Sequence, residues 1–167
     1  MNVDVATLAD LPGIMALEAS FDKKWSEQSW RDEITGTGRL VLIARTTPRG
    51  QAQEPEIIGV ACFQHVDEVV DLHRIVVAPE HRRLGFARVM LVAGLQWAIE
   101  RGARRMLLEV DHRNEPAITL YRGYGFREIT RRADYYGPGA HALILERALA
   151  GVDADSVGMW DMEAEDD

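Results

Sequence analysis

Apolar residues in this chain recur with two periods, near two and near 3.6, and the switches between them mark the elements. Asn2 to Ala6 alternates as a first strand. Leu8, Leu11, Ile14, Met15 and Leu17 have the spacing of an amphipathic helix over residues 8–20, with Pro12 in its first turn. Ser26 is placed to cap a second short helix running to Ile34. Leu40–Arg45, Glu56–Gln64 and Val69–Val77 read as strands. The loop Thr46–Pro55, with two prolines and a glycine, makes a hairpin of the runs on either side.

After Pro79 the period lengthens. Phe86, Val89, Met90, Val92, Ala93, Leu95, Trp97 and Ile99 predict a long apolar helix ended by Gly102. Arg105–Val110 is a buried-strand run. Asn114 caps a short helix, with Pro116 in its first turn and Gly123 or Gly125 at its end. Phe126–Arg132 and His141–Leu149 are two more strands, joined by a turn holding Gly137-Pro138-Gly139. The order β-α-α-β-β-β-α-β-α-β-β predicts an α/β domain with a mixed, partly antiparallel sheet flanked by helices (an α+β arrangement), not a repeating βαβ chain. The domain is expected over residues 1–149, followed by an acidic, disordered tail over 150–167.

Composition narrows the class. The chain has 167 residues, 47% apolar and 28% charged, the balance of one globular domain with a core. No apolar run is long enough to span a membrane, and the start lacks the pattern of a secretory signal. A lone cysteine, Cys62, can form neither an internal disulfide nor a cysteine metal site; in its strand it reads as a small buried hydrophobe. The five histidines show no zinc spacing, so no metal is expected. These features fit the cytoplasm.

The net charge of −8 hides an asymmetry. Residues 150–167 hold seven acids and no base, whereas Arg82–Arg132 holds eleven arginines against five acids. Such a basic segment suits either a solvated face or a phosphate-bearing ligand. No nucleic-acid motif accompanies it, so a nucleic-acid partner is not expected.

Chemistry concentrates between His73 and Gly125. Ile75-Val76-Val77 ends a strand, and Arg82-Arg83-Leu84-Gly85-Phe86-Ala87-Arg88 opens the long helix. A helix start presents unpaired main-chain N–H groups and partial positive charge, and small residues let a phosphate approach. An ordinary glycine turn into a helix would look the same. The dinucleotide and P-loop spacings are both missing.

In this context Arg82-x-x-Gly85-x-Ala87 resembles the Arg/Gln-x-x-Gly-x-Gly/Ala diphosphate motif of the GNAT superfamily of N-acetyltransferases. Leu108-Glu109-Val110, Asn114, Leu120-Tyr121 and Gly125-Phe126 follow in that family's register, and the similarity covers residues 1–149. Within the family the chain is most similar to bacterial ribosomal-protein-alanine N-acetyltransferases. The carrying features are Trp25-Ser26-Glu27, the Glu109/Tyr121 spacing, and Arg131-Arg132 followed by Tyr135-Tyr136. Three positions depart from that pattern: one extra residue lies between the arginine and tyrosine pairs, Lys24 replaces a proline, and Ala87 replaces the last glycine of the motif.

The resemblance implies a GNAT acyl-CoA N-acyltransferase fold and direct attack of an amine on acetyl-CoA. Ile75, Val76 and Val77, the loop and helix start Arg82–Arg88, and Asn114 are expected to hold the cosubstrate, with the Val77 main-chain N–H facing the oxyanion. Glu109 is expected as general base; a carboxylate in an apolar strand run is expected to be partly buried, with a pKa raised toward the working pH. A salt bridge to Arg104 or Arg113 would be its structural alternative. Tyr121 is expected as acid for the sulfur, or else as a core residue. Trp25, Tyr135 and Tyr136 are expected to meet the acceptor, or else to pack locally. The implied partners are acetyl-CoA and a protein N-terminus, that of a ribosomal protein foremost, handled by a monomer or weak dimer. A small-molecule amine, a protein lysine, or a non-catalytic acyl-CoA sensor are the alternatives.

Overall fold

The protein is described here by a computed structural model covering residues 2–21, 23–47, 50 and 55–160. Seven strands and four α-helices carry the fold: β1 Asn2–Val5, α1 Leu11–Glu18, α2 Glu27–Thr35, β2 Arg39–Arg45, β3 Ile57–Val66, β4 Val69–Val77, α3 Phe86–Glu100, β5 Arg105–Asp111, α4 Glu115–Gly123, β6 Arg127–Arg132 and β7 Ala142–Ala148. The strands form one sheet in the order β1-β2-β3-β4-β5-β7-β6. Its pairings are antiparallel for β1–β2, β2–β3, β5–β7 and β6–β7, and parallel for β4–β5. The sheet is therefore mixed, as the element order predicts. The β2–β3 ladder runs from Arg39↔Gln64 to Arg45↔Ile57 with a bulge at Ala44/Arg45, so the hairpin across the 46–55 loop is present.

The expected helix over residues 8–20 is shorter than its apolar pattern. Leu8–Asp10 is a 3-10 turn, and α1 starts at Leu11. Pro12 sits in the first turn, where its missing N–H costs nothing. Thr7 and Asp10 bond reciprocally to open the preceding turn. Ser26 caps α2, its hydroxyl accepting from the Ser29 N–H at 3.1 Å.

Residues divide into two compact units. The first comprises Met1–Gln64 and Arg74–Leu91, the second His65–His73 and Val92–Asp167. The first unit buries Ile14, Trp30, Ile43, Val60, Phe63 and Met90 completely. In it a Cβ on Gly59 would press on Met90 Cε at 3.2 Å and on the Val76 carbonyl at 3.4 Å, so glycine lets the start of α3 lie close on β3. The second unit buries Val70, Leu95, Met106, Tyr124 and Leu145 completely. Apolar burial at roughly 25 cal/mol per Å² is the main stabilising contribution in each. No helix among the described residues is long and apolar enough to cross a membrane.

The segment after residue 149 departs from the expected disorder as far as Trp160. Ala154–Met159 is a 3-10 helix, capped by Asp153, and Val157 is completely buried. The Trp160 indole donates to Ser156 Oγ at 3.1 Å, and the Arg147 guanidinium lies 4.1 Å from its ring centroid. Val157 and Trp160 supply the apolar surface by which this stretch packs beside its acids. The remaining acids, Asp161–Asp167, lie outside the described residues.

Candidate active site

In the first unit, β4 ends in the half-buried residues Ile75, Val76 and Val77. Pro79–His81 makes one 3-10 turn, and Arg82 donates from Nε to the Val77 carbonyl at 3.2 Å. Two left-handed residues follow, Arg83 at φ 65° and Gly85 at φ 86°. Glycine adopts this freely, whereas an L-residue such as Arg83 pays about 1–2 kcal/mol. Backbone bends of this kind turn main-chain N–H groups into anion-binding concavities. Gly85 O accepts from Val89 N–H at 3.0 Å and opens α3. Arg82, Arg83, Leu84 and Gly85 are exposed; Ala87 and Arg88 are half-buried and Phe86 is buried. The mouth of α3 thus offers polar backbone and arginine charge to solvent while one phenylalanine anchors it.

The same unit holds a network absent from the sequence expectations. Glu18, at the end of α1, is 1% exposed. Its carboxylate accepts from Arg74 Nε (2.8 Å) and Nη2 (2.9 Å), from the Trp30 indole (3.0 Å) and from the Trp25 main-chain N–H (3.2 Å). The Trp25 ring is half-buried, 4.9 Å from Trp30. A readable signal existed: Leu11, Ile14 and Glu18 share one face of α1, so a charge stands where the period asks for a core residue. Cys62 is completely buried, and burial pushes its thiol well above the ordinary range, which leaves it no nucleophilic role.

In the second unit, β5 alternates strictly. Met106, Leu108 and Val110 are buried, and Glu109 points the other way. Glu109 keeps 31% of its side chain accessible, so its carboxylate is partly covered and still open to solvent. Its partners differ from those expected. Arg132 of β6 approaches Oε1 at 3.4 Å and the Tyr136 hydroxyl donates to Oε2 at 3.5 Å. Arg113 instead forms a fork with Asp111, at 2.6 Å for its shortest contact, and that hydrogen bonding holds the Asp111 carboxyl down at about 2. Tyr136 is pushed up to about 12, first by burial and then by the Glu109 charge, so its hydroxyl remains a donor.

The hairpin carrying the tyrosines is tied to the end of β5. His112 N–H donates to the His141 carbonyl and His141 N–H to His112 Nδ1, both at 2.9 Å. Asp134 N–H donates to His141 Nδ1 at 3.0 Å. Tyr135 is 51% exposed, stacked under the Arg132 guanidinium at 4.5 Å and edge-on to Tyr136 at 5.1 Å. Glu109, Arg132, Tyr135 and Tyr136 are therefore one cluster. Tyr121 on α4 is buried, its ring edge-on to Phe126, and burial raises its hydroxyl pKa. It is not hydrogen-bonded to Glu109. Asn114 caps α4, accepting from the Ala117 N–H at 3.3 Å.

A mixed sheet with this helix order and an anion-ready turn ahead of the long helix defines the acyl-CoA N-acyltransferase class. The chain matches the acetyltransferase (GNAT) family over residues 14–126 and belongs to that family. It is an acetyl-CoA-dependent N-acetyltransferase. It is 30% identical over 128 residues to the [ribosomal protein bS18]-alanine N-acetyltransferase of Escherichia coli strain K12, covering 76% of this chain and 81% of that one. It is also 31% identical over 151 residues to an uncharacterized protein of Mycobacterium leprae, of whose length it spans only 40%. The crystal structure of the E. coli ribosomal-protein-S18-alanine N-acetyltransferase superposes with a TM-score of 0.76 at 27% identity, over 89% of this chain and 93% of that one. Arabidopsis thaliana NAA60, solved in complex with acetyl-CoA, shares the fold at TM-score 0.76 and 18% identity, over 90% of this chain and 99% of that one.

Proposed function

We propose that this enzyme acetylates the N-terminal α-amine of a protein, with the N-terminal alanine of a ribosomal protein as the preferred acceptor. The observation that carries the reading is the Glu109 cluster: an accessible carboxylate beside two tyrosines and an arginine, in a chain 30% identical to a bS18-alanine N-acetyltransferase.

The ammonium gives a proton to Glu109, directly or through one water. The freed nitrogen attacks the thioester carbonyl, forming the C–N bond, while the Val77 main-chain N–H meets the developing oxyanion. Collapse breaks the C–S bond, and the sulfur takes the Tyr121 proton. A tyrosine whose pKa is raised by burial stays protonated until that moment. The nitrogen's remaining surplus proton leaves to water, and Tyr121 regains a proton from water. Ile75, Val76 and Asn114 hold the pantetheine arm. The backbone of Arg82–Ala87 holds the diphosphate, with the charges of Arg82, Arg83 and Arg88. Trp25, Tyr135 and Tyr136 wall the first residues of the acceptor.

The test is turnover of acetyl-CoA with peptides that differ only at residue one, each with a copy whose N-terminus is blocked and whose lysines are free. Free N-terminal alanine peptides are expected to be modified and blocked copies left untouched. Modification of the blocked copies would overturn the acceptor assignment.

A further inference from the structure

The Glu18 network includes none of the reacting groups proposed above, yet its nearly sealed carboxylate is fully supplied with hydrogen-bond donors. A carboxylate that is 1% exposed needs partners for its lone pairs, and here four donors reach it at 2.8–3.2 Å. Those donors come from three places: Arg74 in β4, the Trp30 indole in α2, and the main chain of Trp25. Arg74 also donates from Nη2 to the Lys23 carbonyl at 2.7 Å, and its guanidinium lies 5.4 Å from the Trp25 ring centroid and 6.0 Å from that of Phe21. The residues from Ala19 to Ser26 contain no α-helix or strand among those described. Glu18 and Arg74 hold this segment by its main chain, at the Trp25 N–H and the Lys23 carbonyl, and Trp30 holds it by a ring contact with Trp25. Arg74 is joined directly to Ile75–Val77, the strand end proposed above to face the cosubstrate.

We propose that Glu18 and Arg74 are positioning residues that set acceptor affinity by fixing the Trp25 segment in place. The inference rests on the reading of Trp25 as part of the acceptor wall. A bidentate Arg–carboxylate pair fixes direction as well as distance. Trp25 is held at both its N–H and its ring, so its freedom is removed before the acceptor arrives, and binding need not supply that ordering. Neither Glu18 nor Arg74 touches a reacting atom; their effect passes through Trp25.

The test is steady-state kinetics of Glu18→Gln, Arg74→Lys, Trp25→Ala and the double variant E18Q/W25A, with folding checked by circular dichroism. Glu18→Gln is expected to raise the acceptor KM about tenfold, with kcat and the acetyl-CoA KM within about twofold of the parent. Arg74→Lys keeps a cation beside Glu18 but loses the fork, and is expected to show the same split at smaller size. The double variant is expected to be no worse than Trp25→Ala alone, because both changes remove one device. An unchanged acceptor KM in folded Glu18→Gln overturns the proposal, as do effects of Glu18 and Trp25 that simply multiply. If Glu18→Gln fails to fold, the same criterion applied to Arg74→Lys decides. Should the parent enzyme prefer a lysine or a small amine, the acceptor assignment falls, and the same KM split on that amine still judges this proposal. A parent enzyme that acetylates no amine sinks both.

Discussion

Glu18 and Glu109 are both glutamates that meet an arginine and an aromatic donor, yet their surroundings are opposite. Glu18 is 1% exposed and receives four hydrogen bonds, none longer than 3.2 Å. Glu109 keeps 31% of its side chain accessible and has contacts of 3.4 and 3.5 Å. A carboxylate with every lone pair filled by short, fixed donors has no room for another proton or substrate. One with long, partial contacts is oriented and still open. The difference separates a carboxylate locked by its partners from one that stays accessible, although both lie in apolar sequence.

The sharpest way to break this contrast is to remove each charge in turn. Glu109→Gln is expected to lower kcat by about 10²–10⁴-fold while leaving thermal unfolding nearly unchanged. A loss of stability with activity retained would reverse the two roles. Glu18→Ala is expected to do the opposite, costing about 3–5 kcal/mol in urea unfolding, because it leaves Arg74 partly buried without its partner. A cost near zero would show the network to be ornamental.

Asp111 sharpens the comparison from the exposed end. It is forked to the well-exposed Arg113, and that hydrogen bonding holds its pKa at about 2, below the ordinary 3.8. A depressed carboxyl contributes stability above its unfolded pKa and loses it as pH falls. The contribution is therefore complete above about pH 4 and disappears toward pH 2. Comparing Arg113→Ala with the parent by melting temperature should show a small difference at pH 7 that vanishes by pH 2. Being solvent-screened, this effect should be the smallest of the three.

The strand and helix periods, with the caps at Ser26 and Asn114, were readable as sequence because they follow from local geometry. The outward direction of Glu109 was also available, since Met106, Leu108 and Val110 alternate with it along β5. Its partner was not. Arg104, Arg113 and Arg132 are equivalent on paper, and Arg132 stands 23 positions away until β6 and β5 both pair with β7. The docking of Val157 similarly depends on what lies across the chain.

The sequence by itself determined the family, the element order and the candidate residues for the site, because spacing along the chain is enough to specify them. Only the tertiary structure decided which glutamate is locked and which is accessible. Partners 56 positions apart, such as Glu18 and Arg74, meet through strand placement and burial, and neither is a property of local sequence.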